Sequence, residues 1–185
     1  SEAEDLERRI EKLLEDNTRL VERVIEENEK LLRDNAEHSK EVEDRLRDLL
    51  RRLEEVVRKR GTDEELKKLA DEVVKRVRDI LRENKKHSDD SSRRSEKSVD
   101  DVRKHSKESS DEVKRILDDI RRRGLPEELI KRVEEVVRKA KKTNEDLLRE
   151  VEKVSREVKK ANEDLLRRSK EVVDEVEKDI ERLKR

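Results

Sequence analysis

The sequence predicts an all-α protein: an elongated, nearly straight, coiled-coil-like up-down-up bundle of three helices, each of about sixty residues, in one domain spanning residues 1–185. Three observations predict it. Leu, Val, Ile and Ala recur with helical periodicity through a chain that is 57% charged. Glycine and proline occur only at Gly61, Gly124 and Pro126, where they read as two turns. An eighteen-residue repeat runs through the pattern, and eighteen residues are five turns of an undistorted α-helix.

High charge with only 29% hydrophobic residues resembles a disordered polyelectrolyte. Two features argue otherwise. Lys plus Arg (52) nearly cancels Asp plus Glu (53), leaving a net charge of −1. The apolar residues are also ordered, and a chain dominated by Ala, Glu, Lys, Leu and Arg at helical period marks long helices or coiled coils. There is no Cys, Met, Phe, Trp or Tyr. Disulfides, thiolate metal sites and Cys nucleophiles are therefore excluded. So are aromatic platforms for stacking bases and aromatic walls for a small-molecule pocket. Apolar runs never exceed two residues, so neither a membrane span nor a targeting signal is expected. Balanced charge removes the electrostatic reason to expect nucleic acid or an anionic membrane. The expectation is a soluble chain, cytoplasmic on expression.

The first helix should cover about 2–60, with Ser1 as cap and Glu4 three residues later. It should end at Gly61, which can take the left-handed position after the helix. The second should cover about 63–123, opened by Thr62 and Glu65 as a capping box and closed by Gly124 in the left-handed position. The third should cover about 126–185. Pro126 would be its first helical residue, Glu127 and Glu128 would face the positive end of the helix dipole, and Leu125 would form a hydrophobic staple. Each helix would be about 90 Å long at 1.5 Å per residue. Turns this short force neighbouring helices antiparallel.

The repeat is clearest in the third helix, where KKTNEDLLREVEKVSREV (141–158) is followed by KKANEDLLRRSKEVVDEV (159–176). In the first helix Leu6, Val24 and Val42 correspond, as do Leu13, Leu31 and Leu49. In the second, His87 corresponds to His105, Ser88 to Ser106 and Ser91 to Ser109. A heptad repeat would impose a left-handed supercoil and an eleven-residue repeat a right-handed one. An eighteen-residue repeat asks for neither. At 100° per residue the apolar positions of each helix fill one arc of about 120–140°.

The informative residues are polar ones standing inside that arc. They are Asn17, Asn28, Asn35 and His38 in the first helix, and Asn84, His87, Ser88, Ser91, Ser92, Ser95, Ser98, His105, Ser106, Ser109 and Ser110 in the second. In the third they are Asn144, Ser155, Asn162 and Ser169. In an up-down-up bundle residue n of the first helix lies near about 123 − n of the second and about n + 124 of the third. Asn17 then meets His105, Ser106 and Asn144, and Asn28 meets Ser95 and Ser155. Asn35 and His38 meet Asn84, His87, Ser88 and Asn162. An unpaired buried polar atom costs about 1–3 kcal/mol, so a connected network disfavours slipped registers and wrong partners.

From Arg82 to Glu112 only Val99 and Val102 are aliphatic. The stretch reads as helix because the repeat keeps its phase through it and no Gly or Pro interrupts. The threading sets it against Leu13, Leu14, Leu20, Val24, Leu31 and Leu32 of the first helix. From the third it meets Leu147, Leu148, Val151 and Val154. With little apolar area to bury, it should be the least stable part.

Long uniform helices, GT and GLP turns, Glu/Lys/Arg surfaces and Asn/Ser/His core layers together resemble de novo designed helical bundles and heterodimers with buried hydrogen-bond networks. The resemblance covers the whole chain in style and rests on no single motif. It implies a scaffold, a pairing module or a switch, with no catalytic residues. The partner would be the chain itself, in a closed bundle, or a designed helical chain docking on its apolar arcs.

Sharper chemistry weighs less than this. The histidines suit a network because imidazole both donates and accepts, and a pH switch is the alternative. A zinc site needs three or four ligands, and no HExxH pattern is present. Ser, His and Asp lie together in KKHSDDSS, but a continuous helix has its amides already bonded and offers neither cleft nor oxyanion hole. No cofactor and no small-molecule substrate are expected. The i,i+4 charge pairs read as solvated helix faces.

Overall fold

Three α-helices carry almost the whole chain in the computed structural model, which describes residues 1–183. They are α1 (Glu2–Arg58), α2 (Asp63–Arg122) and α3 (Glu127–Leu183), and no strand occurs among the described residues. The protein is a three-helix bundle, as the apolar period and the two turns predict. The Ser-rich stretch Arg82–Glu112 is helical throughout. The expected extension of the third helix through 184–185 lies outside the described residues.

The helices start where side chains can satisfy their first amides. Ser1 Oγ accepts the Glu4 N–H at 3.3 Å, and Thr62 Oγ1 accepts the Glu65 N–H at 3.3 Å. Acidic residues fill each first turn and arginines each last turn, complementing the helix dipole.

Both turns differ in detail from the sequence expectation. The first helix ends at Arg58, and the left-handed residue is Arg60 (φ 52°), not Gly61. Arg60 N–H bonds to Val57 C=O at 3.2 Å and Gly61 N–H to Val56 C=O at 3.3 Å. This is a Schellman closure with Arg60 at C′ and Gly61 one position beyond. Glycine at 61 is closely surrounded instead. A Cβ there would stand 3.1 Å from Val56 Cγ1 and 3.1 Å from Glu65 Oε2. At the second turn Gly124 does take the left-handed conformation (φ 64°), its N–H bonding to Arg121 C=O at 3.3 Å. Pro126 is the cap rather than the first helical residue. Its carbonyl accepts from Leu129 at 3.0 Å and Ile130 at 3.2 Å, and the helix begins at Glu127. Proline suits that place because no N–H is called for there.

The helices contribute to two compact units. One comprises Ser1–Lys30 with Arg94–Arg156, the other Leu31–Arg93 with Glu157–Arg185. In the first unit, Ile10, Val113, Ile116, Ile120 and Val133 form one core cluster, flanked by Leu6, Leu13, Leu14, Leu117, Leu125, Leu129, Ile130 and Val137. Leu13 and Leu14 therefore pack at the edge of this cluster. Leu125 beside Ile130 completes the staple. A second cluster joins Val21 and Val24 to Val99, Val102 and Val151. In the second unit, Val42, Leu46, Leu49 and Leu53 meet Ala70, Val73, Val77 and Ile80, and Val173, Val176 and Ile180.

Burial follows the eighteen-residue repeat. Ile10, Asn28 and Leu46 are buried, as are Asn17, Asn35 and Leu53. In α2 the same spacing links Val73, Ser91 and Ser109, and in α3 it links Val133, Val151 and Ser169. Eighteen residues return a helical side chain to the same azimuth, so apolar and polar residues alternate along one buried line.

Candidate functional site

The polar residues on that line form four hydrogen-bonded groups, two in each unit. In the first unit Asn17 of α1 donates from Nδ2 to Asn144 Oδ1 of α3 at 2.6 Å. Its Oδ1 accepts from His105 Nδ1 at 3.0 Å and from Ser106 Oγ at 3.2 Å, both on α2. A carbonyl oxygen can only accept, so the His105 proton sits on Nδ1. Asn17 and Ser106 are buried, whereas Asn144 and His105 are half-buried.

Asn28 (0% exposed) centres the second group. Its Nδ2 donates to its own helix at Val24 C=O (2.9 Å) and to Ser98 Oγ (3.1 Å), and its Oδ1 accepts from Ser95 Oγ. Ser95 thereby spends its only proton, so the 2.7 Å contact between Ser95 Oγ and Ser155 Oγ is donated by Ser155. Half-buried Ser98 donates back to Ser95 C=O at 2.9 Å. All three helices meet in this group.

The third group lies in the second unit and is the most connected. Asn35 Nδ2 donates to Asn162 Oδ1 at 2.7 Å and to Ser91 Oγ at 2.9 Å, and Asn35 Oδ1 receives His87 Nε2 at 2.9 Å. His87 must carry its proton on Nε2, the opposite nitrogen from His105. Asn162 Nδ2 donates to Ser92 Oγ at 2.8 Å and to Ser88 C=O at 3.2 Å. His38 stacks on His87 with ring centroids 4.0 Å apart and planes inclined by 21°. Ser92, which the threading left out of its layers, is thus a full member.

Asn84 departs from the expected layer. Its Nδ2 donates to Ser169 Oγ at 2.7 Å, forming a fourth group two turns along α3 from Asn162. Ser109 is buried, and Ser110 faces solvent, contrary to its placement inside the arc. The pairing of α1 with α3 also differs from the threading. Asn17–Asn144 and Asn35–Asn162 are both 127 residues apart, three more than expected and nearly one helical turn. Gly124–Pro126 stands wholly outside the helices, and that delays the start of α3. The expected layers still contain most members of the first three groups, because each was assigned to within about one helical turn.

The remaining chemistry is peripheral. Among the described residues no three His, Cys, Asp or Glu side chains come together as metal ligands. Within KKHSDDSS, Asp89 and Asp90 point outward, and Asp90 is bound to Arg93 at 2.5 Å. Exposed ion pairs cross between helices. Arg132 grips Glu7 through two bonds of 2.7 and 3.0 Å, and Arg103 grips Glu152 through bonds of 2.9 and 3.2 Å. The bond to Glu7 holds the Arg132 guanidinium above its ordinary value, and the bond to Glu134 does the same for Arg121. One surface groove is lined by Arg45, Asp48, Arg52, Arg76, Asp79 and Glu83 around Leu49 and Ile80. No helix among the described residues is long and apolar enough to cross a membrane.

Comparison with known proteins finds likeness among solved structures. Neither protein-family models nor curated proteins match the sequence. Among solved structures, a "Computationally designed three helix bundle" superposes with a TM-score of 0.58 over 98% of this chain and 88% of its own, at 20% identity. That likeness extends to the fold.

Proposed function

We propose that this chain is a designed scaffold with no catalytic activity, folded as one domain, in which buried Asn, Ser and His groups fix the register and pairing of three helices. The observation that carries the proposal is the satisfaction of the central amides. Asn28, Asn35 and Asn162 each place both Nδ2 protons and the carbonyl oxygen in bonds, and most of these bonds go to another helix. Sliding one helix by a turn would strand these atoms while leaving Leu and Val contacts nearly as good. The designed bundle of similar fold supports the same reading. So does the surface, where Val57 (36% exposed) is the exposed large apolar side chain among the described residues. The apolar arcs are used within the chain, which favours a closed bundle over a component awaiting a partner.

Light scattering on the chain and on a variant with Asn17, Asn28, Asn35 and Asn162 all changed to Leu tests this. The parent should show a constant mass of 22.2 kDa across concentrations. The variant should stay helical but populate more than one mass. A concentration-dependent parent mass would place the arcs between chains, making this one part of a designed oligomer. A single monomeric mass for the variant would remove the polar groups' role in pairing.

The His38–His87 stack favours a second reading, a pH-responsive switch. Two imidazolium rings at 4.0 Å would repel, and a charged His87 would remain held beside Asn35. Mass and ellipticity that stay unchanged from about pH 7.5 to about 4.5 would end it.

A further inference from the structure

We propose that His38, Asn84 and Ser88 together hold one buried water molecule. Three buried side-chain atoms among the described residues lack a hydrogen-bond partner, and they are His38 Nε2, Asn84 Oδ1 and Ser88 Oγ. They come from one neighbourhood of the second unit. Asn84 and Ser88 are four residues apart on α2, so their side chains stand on the same face about 5–6 Å apart at Cβ. His38 of α1 lies against His87, the residue just before Ser88, with ring centroids 4.0 Å apart. Asn84 is 0% exposed and Ser88 2%, so bulk solvent does not reach them.

Local rearrangement does not remove the need. Flipping the Asn84 amide would turn Oδ1 toward Ser169, whose hydroxyl can donate as readily as accept, and would leave Nδ2 stranded instead. Ser88 can rotate toward the carbonyl four residues back, as helical serines do, but Asn84 and His38 would then still be unpaired. The atoms present are an amide oxygen, a hydroxyl and an imidazole nitrogen, with no carboxylate or thiolate, a set suited to a neutral molecule rather than a cation. Water completes it with three bonds, the usual number for a buried water. It donates one proton to Asn84 Oδ1, donates the other to His38 Nε2 and accepts the Ser88 O–H. The His38 proton is thereby assigned to Nδ1, whereas stacked His87 carries its own on Nε2.

The test is a crystal structure of the full chain at a resolution that shows ordered waters, paired with water-to-protein NOE and imidazole nitrogen NMR in solution. The expected result is a peak within about 2.6–3.2 Å of all three atoms, an NOE from long-lived water to the His38 ring, and an Nδ1-protonated His38. The proposal is overturned by a direct bond between His38 and Asn84, by other protein partners for both, or by a His38 protonated on Nε2. Asn84→Leu should abolish the peak and the NOE, and a peak that persists removes Asn84 from the site. If that variant does not fold, Ser88→Ala adds no bulk and should weaken the NOE by removing one partner. An unchanged NOE in Ser88→Ala would refute the three-partner site.

Discussion

Replacing Asn35 by Leu is the most informative single perturbation of the buried groups. Leu matches Asn in heavy-atom number and branching, so the change removes polarity while nearly keeping volume. It strands Asn162 Oδ1, which is buried, and deprives His87 Nε2–H of its acceptor. Ser91 also loses a donor, but its hydroxyl can turn to the carbonyl one turn back. Each stranded group costs about 1–3 kcal/mol, and His87, being half-buried, falls at the low end. Burying an apolar side chain offsets part of this, about 1.5–3 kcal/mol at most. The expected net loss is about 0.5–2.5 kcal/mol, read by guanidinium unfolding followed by far-ultraviolet circular dichroism. The double variant Asn35→Leu/Asn162→Leu supplies the decisive comparison. It removes the stranded oxygen together with its partner, so it should be no less stable than the weaker single variant. That corresponds to a favourable coupling of about 0.5–2.5 kcal/mol. An Asn35→Leu chain as stable as the parent, or single effects that simply add, would refute the reasoning.

Other predictions address the turns and the core, each read by the same unfolding assay. Arg60→Gly should stabilise by about 0.5–1 kcal/mol, because a left-handed non-glycine residue costs about 1–2 kcal/mol and the added unfolded-state entropy of glycine returns part of it. Gly124→Ala should destabilise by about 1 kcal/mol through φ alone, since a Cβ there meets nothing within 4 Å. Gly61→Ala should act through the contact with Val56 instead, so Gly61→Ala combined with Val56→Ala should show coupling whereas Gly124→Ala with Val56→Ala should not. Leu46→Ala, at a fully buried site, should cost about 2–5 kcal/mol.

Much of this architecture was legible because it is periodic. The apolar period together with Gly61, Gly124 and Pro126 is enough to define three helices and two turns. The eighteen-residue spacing identified the buried azimuth on which Asn17, Asn28, Asn35 and Asn162 stand. The partners in the first two groups followed from up-down-up geometry, since Asn17 reaches His105, Ser106 and Asn144, and Asn28 reaches Ser95 and Ser155. What sequence could not supply was detail finer than one helical turn. The offset of α3 depends on how Gly124–Pro126 folds, and that shift bears on the partner of Asn84. The left-handed residue of the first turn depends on which amide reaches Val56, which the presence of glycine does not decide. Ser91, Ser92 and Ser110 are alike as letters, and small rotations of α2 determine that the first two join Asn35 and Asn162 while the last faces water.

The central claim is that buried amides hold the helices in register, and their own exchange with solvent tests it most directly. The chain contains six Asn and no Gln, so its side-chain amide NMR spectrum holds six pairs of signals. Asn17, Asn28, Asn35, Asn84 and Asn162 donate from Nδ2 to defined partners. Hydrogen exchange of these side-chain amides should therefore be slow, with well-dispersed signals, and slowest for Asn28, Asn35 and Asn162, whose two protons are both bonded. Exchange of those three at the rate of an exposed amide would mean the groups are open to water and that apolar packing alone sets the register.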